Sequence, residues 1–251
     1  MCGRDTVDSD ERLFGIVETL QRREPAGVTE LADAVGMPKS TVHVHLSTLG
    51  EWGYVVQDDR QRYRLGLKFL ELGIVARDHR RIYEEAAPTI EELAAGTGEN
   101  VWCVVEENGE AVFVAKAAGS RAIQTNARVG QHVDLYRLAA GKAILATLPA
   151  DRRGRIVDGY EFPLEGTGAG REELTAELAE IRDRGVAFGA GGFVSGVAGV
   201  GAAVTDNSGT VHGAISISGP TGRLSGDRLE GELADLIRGA AGELQVNLSY
   251  G

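Results

Sequence analysis

Residues 28–66, VTELADAVGMPKSTVHVHLSTLGEWGYVVQDDRQRYRLG, constrain the fold most, because two helix signals and a hairpin signal follow one another without a spacer. Thr29 is placed to cap a first helix, and Glu30 sets negative charge in a first turn where the helix dipole is positive. Leu31, Ala32 and Val35 share one face, and Gly36 ends the helix where left-handed backbone costs least. Pro38 suits the opening of a second helix, since its missing N–H would be unpaired there anyway. That helix runs to about Leu49 and stops in the Gly50–Gly53 region. At roughly 100° per residue, Val42, Leu46 and Leu49 gather on one side. Ser40, Val44 and Ser47 point the other way, with His43 at the flank.

The outward side is small, polar and nearly free of acid, so it can approach a nucleic-acid groove closely. Hydroxyls and imidazole can hydrogen-bond there, and the Val44 methyls can meet a thymine methyl. Lys39, Ser40 and Thr41 lie at the helix N-terminus, the end that attracts phosphate and enters the groove in helix-turn-helix proteins. Beyond it, Tyr54-Val55-Val56 and Arg62-Tyr63-Arg64-Leu65 alternate as strands around the polar turn Asp58–Gln61. Arg60, Arg62 and Arg64 make this hairpin a basic wing. Candidate DNA contacts are therefore Thr29, Lys39, Ser40, Thr41, His43, Val44, Ser47 and the three wing arginines. The pattern alone also fits a helical hairpin and a β-hairpin inside an ordinary α+β domain.

The chain's 251 residues suffice for two modest domains, each able to bury a core. No apolar run approaches the roughly 18 residues of a membrane span. The polar start MCGRDTVDSDERLF lacks the apolar segment of a signal peptide, so the reading is cytoplasmic, without membrane attachment. Cys2 and Cys103 form neither a metal-type pair nor a disulfide framework, and no metal or cofactor is expected. The net charge of −11 is uneven: residues 1–80 hold 11 basic and 13 acidic groups, residues 81–251 hold 15 and 24. Acidity thus lies mostly outside the basic-wing half. Only four of the 26 basic residues are lysine, a bias that resembles proteins of salt-loaded cytoplasms such as those of haloarchaea. In molar salt counterion release contributes little to DNA affinity, leaving groove fit and dimer geometry to supply it.

Along the rest of the chain, residues 1–8 read as a disordered tail and 9–66 as the helix-turn-helix unit. Within the latter, Leu13, Ile16, Val17 and Leu20 mark a first helix from about Asp10 to Arg23, broken by Pro25-Ala26-Gly27. Residues 67–80 are a linker helix, apolar on more than one side (Leu67, Leu70 and Ile74, flanked by Phe69, Leu72 and Val75). Such a helix needs a partner, either another subunit or its own C-terminal domain. In the domain over 81–251 the spacing predicts a helix ending at Gly96 and a hairpin turning at Asn108-Gly109. A strand over Ala122–Asn126 and helices over Leu138–Leu148, 151–158 and Arg171–Arg184 follow. Strands over 193–205 and 210–218 and a closing helix over 227–248 complete an α+β domain with antiparallel hairpins.

The run ELADAVGMPKSTVHVHLSTLGEWGYV, followed by RYRLGLKFLELG, resembles the winged helix-turn-helix and linker of the IclR family of transcriptional regulators. GKAILATLP, LAEIRDRGVAF and DNSGTVHGAISISGP resemble successive segments of that family's effector-binding domain, in the same order. The resemblance implies a GAF-like α+β effector domain and a homodimer or tetramer on palindromic double-stranded DNA. It also implies control by a small metabolite, commonly a carboxylate or an aromatic compound. The implied pocket residues are Leu138, Ala139, Ala140 and Gly141, the stretch Gly189 to Val200 including Gly199, and Ser216 with Ser218. Ser216 and Ser218, two apart on a strand, present hydroxyls on one face. Small residues around Gly141 fit equally an anion-binding helix start or close packing of helix on sheet.

Two departures stand out. Glycines 189, 191, 192 and 199 occupy positions where the family carries acidic residues and a cysteine, and Val44 stands where an arginine is common. The missing side chains predict a bulkier, less polar effector or a domain that has lost its ligand. No catalytic constellation emerges: GTGAG at 166–170 lacks a phosphate-loop context. His43 and His45 diverge on their helix, and His132, Asp134 and Ser216 lack a nucleophile elbow. The chain reads as a DNA-binding regulator, not an enzyme; a metabolite sensor acting through protein contacts is the alternative.

Overall fold

The computed structural model describes residues 7–250, and the chain divides after Ala76 into two compact units. Most of the expected tail, Cys2 included, lies outside the described residues, whereas Asp8 already belongs to a helix.

The first unit begins with three helices, α1 (Asp8–Arg22), α2 (Val28–Val35) and α3 (Lys39–Glu51). A two-stranded hairpin, β1 (Val55–Gln57) and β2 (Tyr63–Leu65), follows them. Ile16 and Leu20 of α1 meet Leu31, Val42, Leu46 and Leu49 in one core, which Val55 and Tyr63 seal from the hairpin side. A bridge missed in the sequence adds a third edge: Ala26 exchanges both backbone hydrogen bonds with Tyr63, at 2.9 and 2.8 Å. Thr29 does not cap α2. The cap position is Gly27, whose N–H donates to the Glu30 carboxylate at 2.7 Å, so the longer acidic side chain takes the donor instead. Helix α4 (Lys68–Asp78) follows, and none of its residues is buried.

The second unit is a six-stranded antiparallel sheet. In chain order it contains α5 (Arg81–Thr97), β3 (Asn100–Glu107), β4 (Glu110–Ala118), β5 (His132–Asp134), α6 (Ala139–Thr147), α7 (Ala150–Asp158) and α8 (Arg171–Arg184). β6 (Ala187–Ala190), β7 (Val197–Thr205), β8 (Val211–Pro220) and α9 (Ala234–Tyr250) complete it. The sheet order is β5-β4-β3-β8-β7-β6. Asn108 and Gly109 both have positive φ, 54° and 93°, which is the backbone of a tight two-residue hairpin turn.

Two cores flank the sheet, and strand alternation assigns residues to each. Cys103, Val105, Ile215 and Ile217 face α5 and α9; Trp102, Val104 and Ala214 face α6 and α8. Burial pushes the Cys103 thiol up to about 12, so it stays protonated and packs as an apolar group. A register shift between Cys103 and Val104 places Phe113, not Val114, opposite Val104. That bulge turns Phe113 to the Trp102 face, where their ring centroids lie 4.8 Å apart.

Four expectations need correction. Residues 122–126 form no ladder, the Ile123 carbonyl accepting instead from Asn100 Nδ2 at 2.8 Å, and the next strand comes later, at β5. Helix α5 runs past Gly96 to Thr97 and ends on left-handed Gly98. The expected 193–205 strand starts only at Val197, with loop 191–196 and the unforeseen β6 before it. The closing helix opens with a π-helical segment, Arg228–Leu233.

Candidate nucleic-acid interface and effector cavity

On α3 the apolar triad is pinned inward: Val42 and Leu46 are fully buried and Leu49 nearly so. Lys39, Ser40, His43, Val44 and Ser47 are exposed and Thr41 half-buried. Val44, at 64% exposure, is an aliphatic group held in water by the helix geometry. Ser47 Oγ donates back to the His43 carbonyl at 2.9 Å and lies 3.5 Å from His43 Nδ1, which fixes the imidazole beside it. His45 is on a different side, half-buried.

The wing arginines differ. Arg60 and Arg64 are exposed and form no ion pair among the described residues. Arg62 instead folds inward: its Nη2 lies 3.0 Å from Glu30 Oε2 and donates to the Pro25 carbonyl at 2.5 Å. The Gly27 N–H, followed by Arg62, holds the Glu30 carboxyl below its usual range. Arg62 therefore ties the wing to the start of α2, a structural use the sequence pattern hid. Thr29 is exposed on α2.

In the second unit a cavity of about 600 Å³, its open mouth included, lies on the Trp102 face of the sheet. Of the residues named in the sequence, Leu138, Ala139, Gly189, Gly199, Ser216 and Ser218 line it. Ala140 and Gly141 do not. Gly141 packs on the backbone of Leu135, where any Cβ would collide with that carbonyl, so the close-packing alternative holds there. Phe193 lines the cavity too, from within the expected Gly189 to Val200 stretch, whereas Trp102, Phe113, Thr125 and Arg137 also line it and were not anticipated. The aromatic members of β3 and β4 carried a signal, but the bulge that aims Phe113 at the cavity did not. Trp102 Nε1 donates to Ser218 Oγ at 3.1 Å.

The four glycines differ: Gly191 faces open space and Gly189 only approaches Ala139, but Gly192 and Gly199 do not leave space. A Cβ at Gly192 would lie 2.8 Å from the Arg137 carbonyl, and one at Gly199 would lie 2.9 Å from that of Ile217. Backbone, not ligand, occupies those positions. The GTGAG segment ends at Gly170, whose N–H already donates to Glu173 at 2.8 Å, leaving no phosphate cradle. His132 pairs with Glu110 at 3.2 Å, on the edge strand β5. Among the described residues no group of His, Cys, Asp and Glu is arranged to hold a metal, and no helix is long and apolar enough to cross a membrane.

A small helix-turn-helix unit with a β-wing, joined to an α+β unit with a partly open, mainly apolar cavity, defines a two-domain transcriptional regulator. Family models agree: the IclR helix-turn-helix domain matches residues 10–59, and the C-terminal domain of the bacterial transcriptional regulator IclR matches 75–246. The HTH-type transcriptional regulator KdgR of Escherichia coli is 30% identical, covering 98% of this chain and 94% of KdgR. The regulator ArcR of Halobacterium salinarum is 28% identical over 93% of this chain and 90% of its own. The crystal structure of Thermotoga maritima IclR superposes with a TM-score of 0.76 at 28% identity, covering 96% of this chain and 97% of that one. The chain belongs to the IclR family of helix-turn-helix transcriptional regulators.

Proposed function

We propose that residues 9–66 read a palindromic operator, with Lys39, Ser40, Thr41, His43, Val44 and Ser47 in the major groove and Arg60 and Arg64 on phosphates. The observation that carries this reading is the inward pinning of Val42, Leu46 and Leu49, which leaves a hydroxyl, imidazole and methyl face free to water. Val44 replaces charge with methyls, so readout at its position favours thymine over guanine. Residues 67–80 and the domain over 81–251 join copies into a dimer or tetramer, and the cavity takes a bulky, mainly apolar effector that modulates DNA binding. The protein acts in the cytoplasm and performs no catalysis. The acidic, lysine-poor composition supports a salt-rich setting, in which groove fit outweighs counterion release.

Selection of bound fragments from random duplex DNA tests the reading. The wild-type protein is expected to enrich a two-fold symmetric motif. Thr41→Ala or His43→Ala is expected to weaken binding to it by roughly tenfold, within the range of one lost base contact, while the thermal transition stays in place. No enriched motif, or full affinity in both variants, overturns the assignment.

A further inference from the structure

A second cavity, of about 620 Å³ with its open mouth included, lies in the second unit beside the start of α5, the end of β3 and the start of β8. It shares no lining residue with the cavity on the Trp102 face. Four basic side chains converge on it: His79, Arg80 and Arg81, consecutive in the chain, and His212. The carboxylate in the lining, Glu106, is already neutralised. Arg152 Nη2 lies 2.5 Å from its Oε1, which also accepts from the Gly109 N–H at 2.6 Å. Arg80 pairs with Glu107, and His212 Nε2 lies 2.9 Å from Asp206 Oδ2. Arg81 and His79 are exposed and have no side-chain partner among the described residues. Once the internal pairs are made, the lining keeps a positive surplus.

That surplus stands at the wrong end of a helix. Arg80 is the N-cap residue of α5 and Arg81 its first helical residue, and no side chain caps the opening turn. The first N–H groups of a helix carry partial positive charge, which favours an acidic neighbour and disfavours arginine. The last turn of α4 does not need these cations, since it carries Arg77, whose guanidinium also stacks on Tyr83 at 3.8 Å. Like charges gathered on an uncapped N-terminus are unfavourable by themselves, and an anion among them reverses the sign. Departures from local preference of this kind are expected at functional sites. We infer that this cavity binds a phosphoryl group, as free phosphate or as the phosphate ester of a small metabolite, through Arg81, His79 and the opening N–H groups of α5. A phosphoryl group carries about −1.5 to −2 charge near neutral pH, more than a carboxylate, and its oxygens match the guanidinium fork. Leu148 and Val211 offer an apolar shoulder to the body of an ester. The inference depends neither on the effector cavity nor on the reading of DNA.

The test uses the full chain in a phosphate-free buffer at neutral pH and constant ionic strength. Inorganic phosphate, glycerol 3-phosphate and acetate are titrated by calorimetry, and the thermal transition is read with and without each. Phosphate or its ester is expected to saturate a site and raise the melting temperature, with acetate at least tenfold weaker. Arg81→Gln is expected to weaken the phosphoryl compounds at least tenfold and His79→Gln several-fold, while Arg81→Lys keeps part of the affinity. Both positions are exposed, so without phosphate the variants should melt as the wild type does. An ester that binds more tightly than free phosphate assigns the site to a phosphorylated metabolite; the reverse order assigns it to free phosphate.

Absence of saturable binding by either phosphoryl compound overturns the inference. So does full affinity in Arg81→Gln, or acetate binding as tightly as phosphate. Two controls locate the ion. A chain with Lys39→Gln, Arg60→Gln and Arg64→Gln together is expected to bind phosphate as the wild type does; loss of binding there places the ion on the DNA-reading face and overturns the inference. Ser216→Leu, in the cavity on the Trp102 face, is likewise expected to leave phosphate binding unchanged. Loss in that variant moves the ion to the effector cavity, so the present site falls while the proposed effector cavity stands.

Discussion

The indole N–H of Trp102 and the hydroxyl of Ser218 are joined by a 3.1 Å hydrogen bond between adjacent strands, on the wall of the Trp102-face cavity in the second unit. Ser218 orients the largest ring of that wall. Ser218→Ala leaves the indole donor without its protein acceptor beside a partly open cavity. The expected cost is about 1 kcal/mol in urea unfolding, at the low end for an unpaired buried donor because water can enter. A red shift of Trp102 emission should accompany it. Unchanged stability together with unchanged emission would mean that the contact holds nothing in place.

Much of the first unit was legible because its signals are local. The inward triad Val42, Leu46 and Leu49 follows from helical spacing, and Gly36 and the Asp58–Gln61 turn follow from backbone preferences. What stayed hidden depends on contacts distant in sequence. Arg62 looks like its neighbours Arg60 and Arg64 until Glu30 and Pro25 are brought beside it, 32 and 37 residues away. In the second unit Ser216 and Ser218 were readable from alternation. Phe113 was not, since a single-residue bulge reverses which face it serves. Two of the glycines read as missing side chains, Gly192 and Gly199, are places where two backbones meet, which no one-dimensional pattern reveals.

The three wing arginines should separate by experiment. Arg64→Gln and Arg60→Gln are expected to lower the slope of log affinity against log salt by about 0.9 each, the share of one phosphate contact, with stability unchanged. Arg62→Gln is expected to lower stability, because it frees Glu30 and the Pro25 carbonyl, and to change the salt slope least. Equal slopes for all three variants would remove the distinction.

Asp206 makes the second unit acid-sensitive. Its carboxylate accepts from Ser208 Oγ at 2.6 Å and His212 Nε2 at 2.9 Å, and from the N–H groups of Ser208 and Thr210. These bonds, that of the Ser208 hydroxyl first, hold its carboxyl well below the usual value of 3.8. A carboxylate depressed in the folded state contributes stability above its unfolded pKa and loses it as pH falls through the folded one. The melting temperature is therefore expected to drop from about pH 4 downward. Asp206→Asn should start lower at neutral pH and fall less steeply. Parallel curves for the two proteins would contradict this role.

Leu67, just before helix α4, and Leu70 and Ile74 within it are 78%, 58% and 39% exposed, and no residue of the helix is buried within the chain. An apolar stripe in water is unfavourable at roughly 25 cal/mol per Å², so covering it with the same stripe of a second copy returns that free energy to the assembly. Leu70→Asp places a charge in the middle of this surface. Because Leu70 contributes little to the fold of its own chain, helicity by circular dichroism should stay unchanged while light scattering reports smaller particles. Operator affinity should then fall by 10²-fold or more, roughly the gain that linking two half-sites provides. An intact oligomer in the variant would place the partner surface elsewhere on the chain.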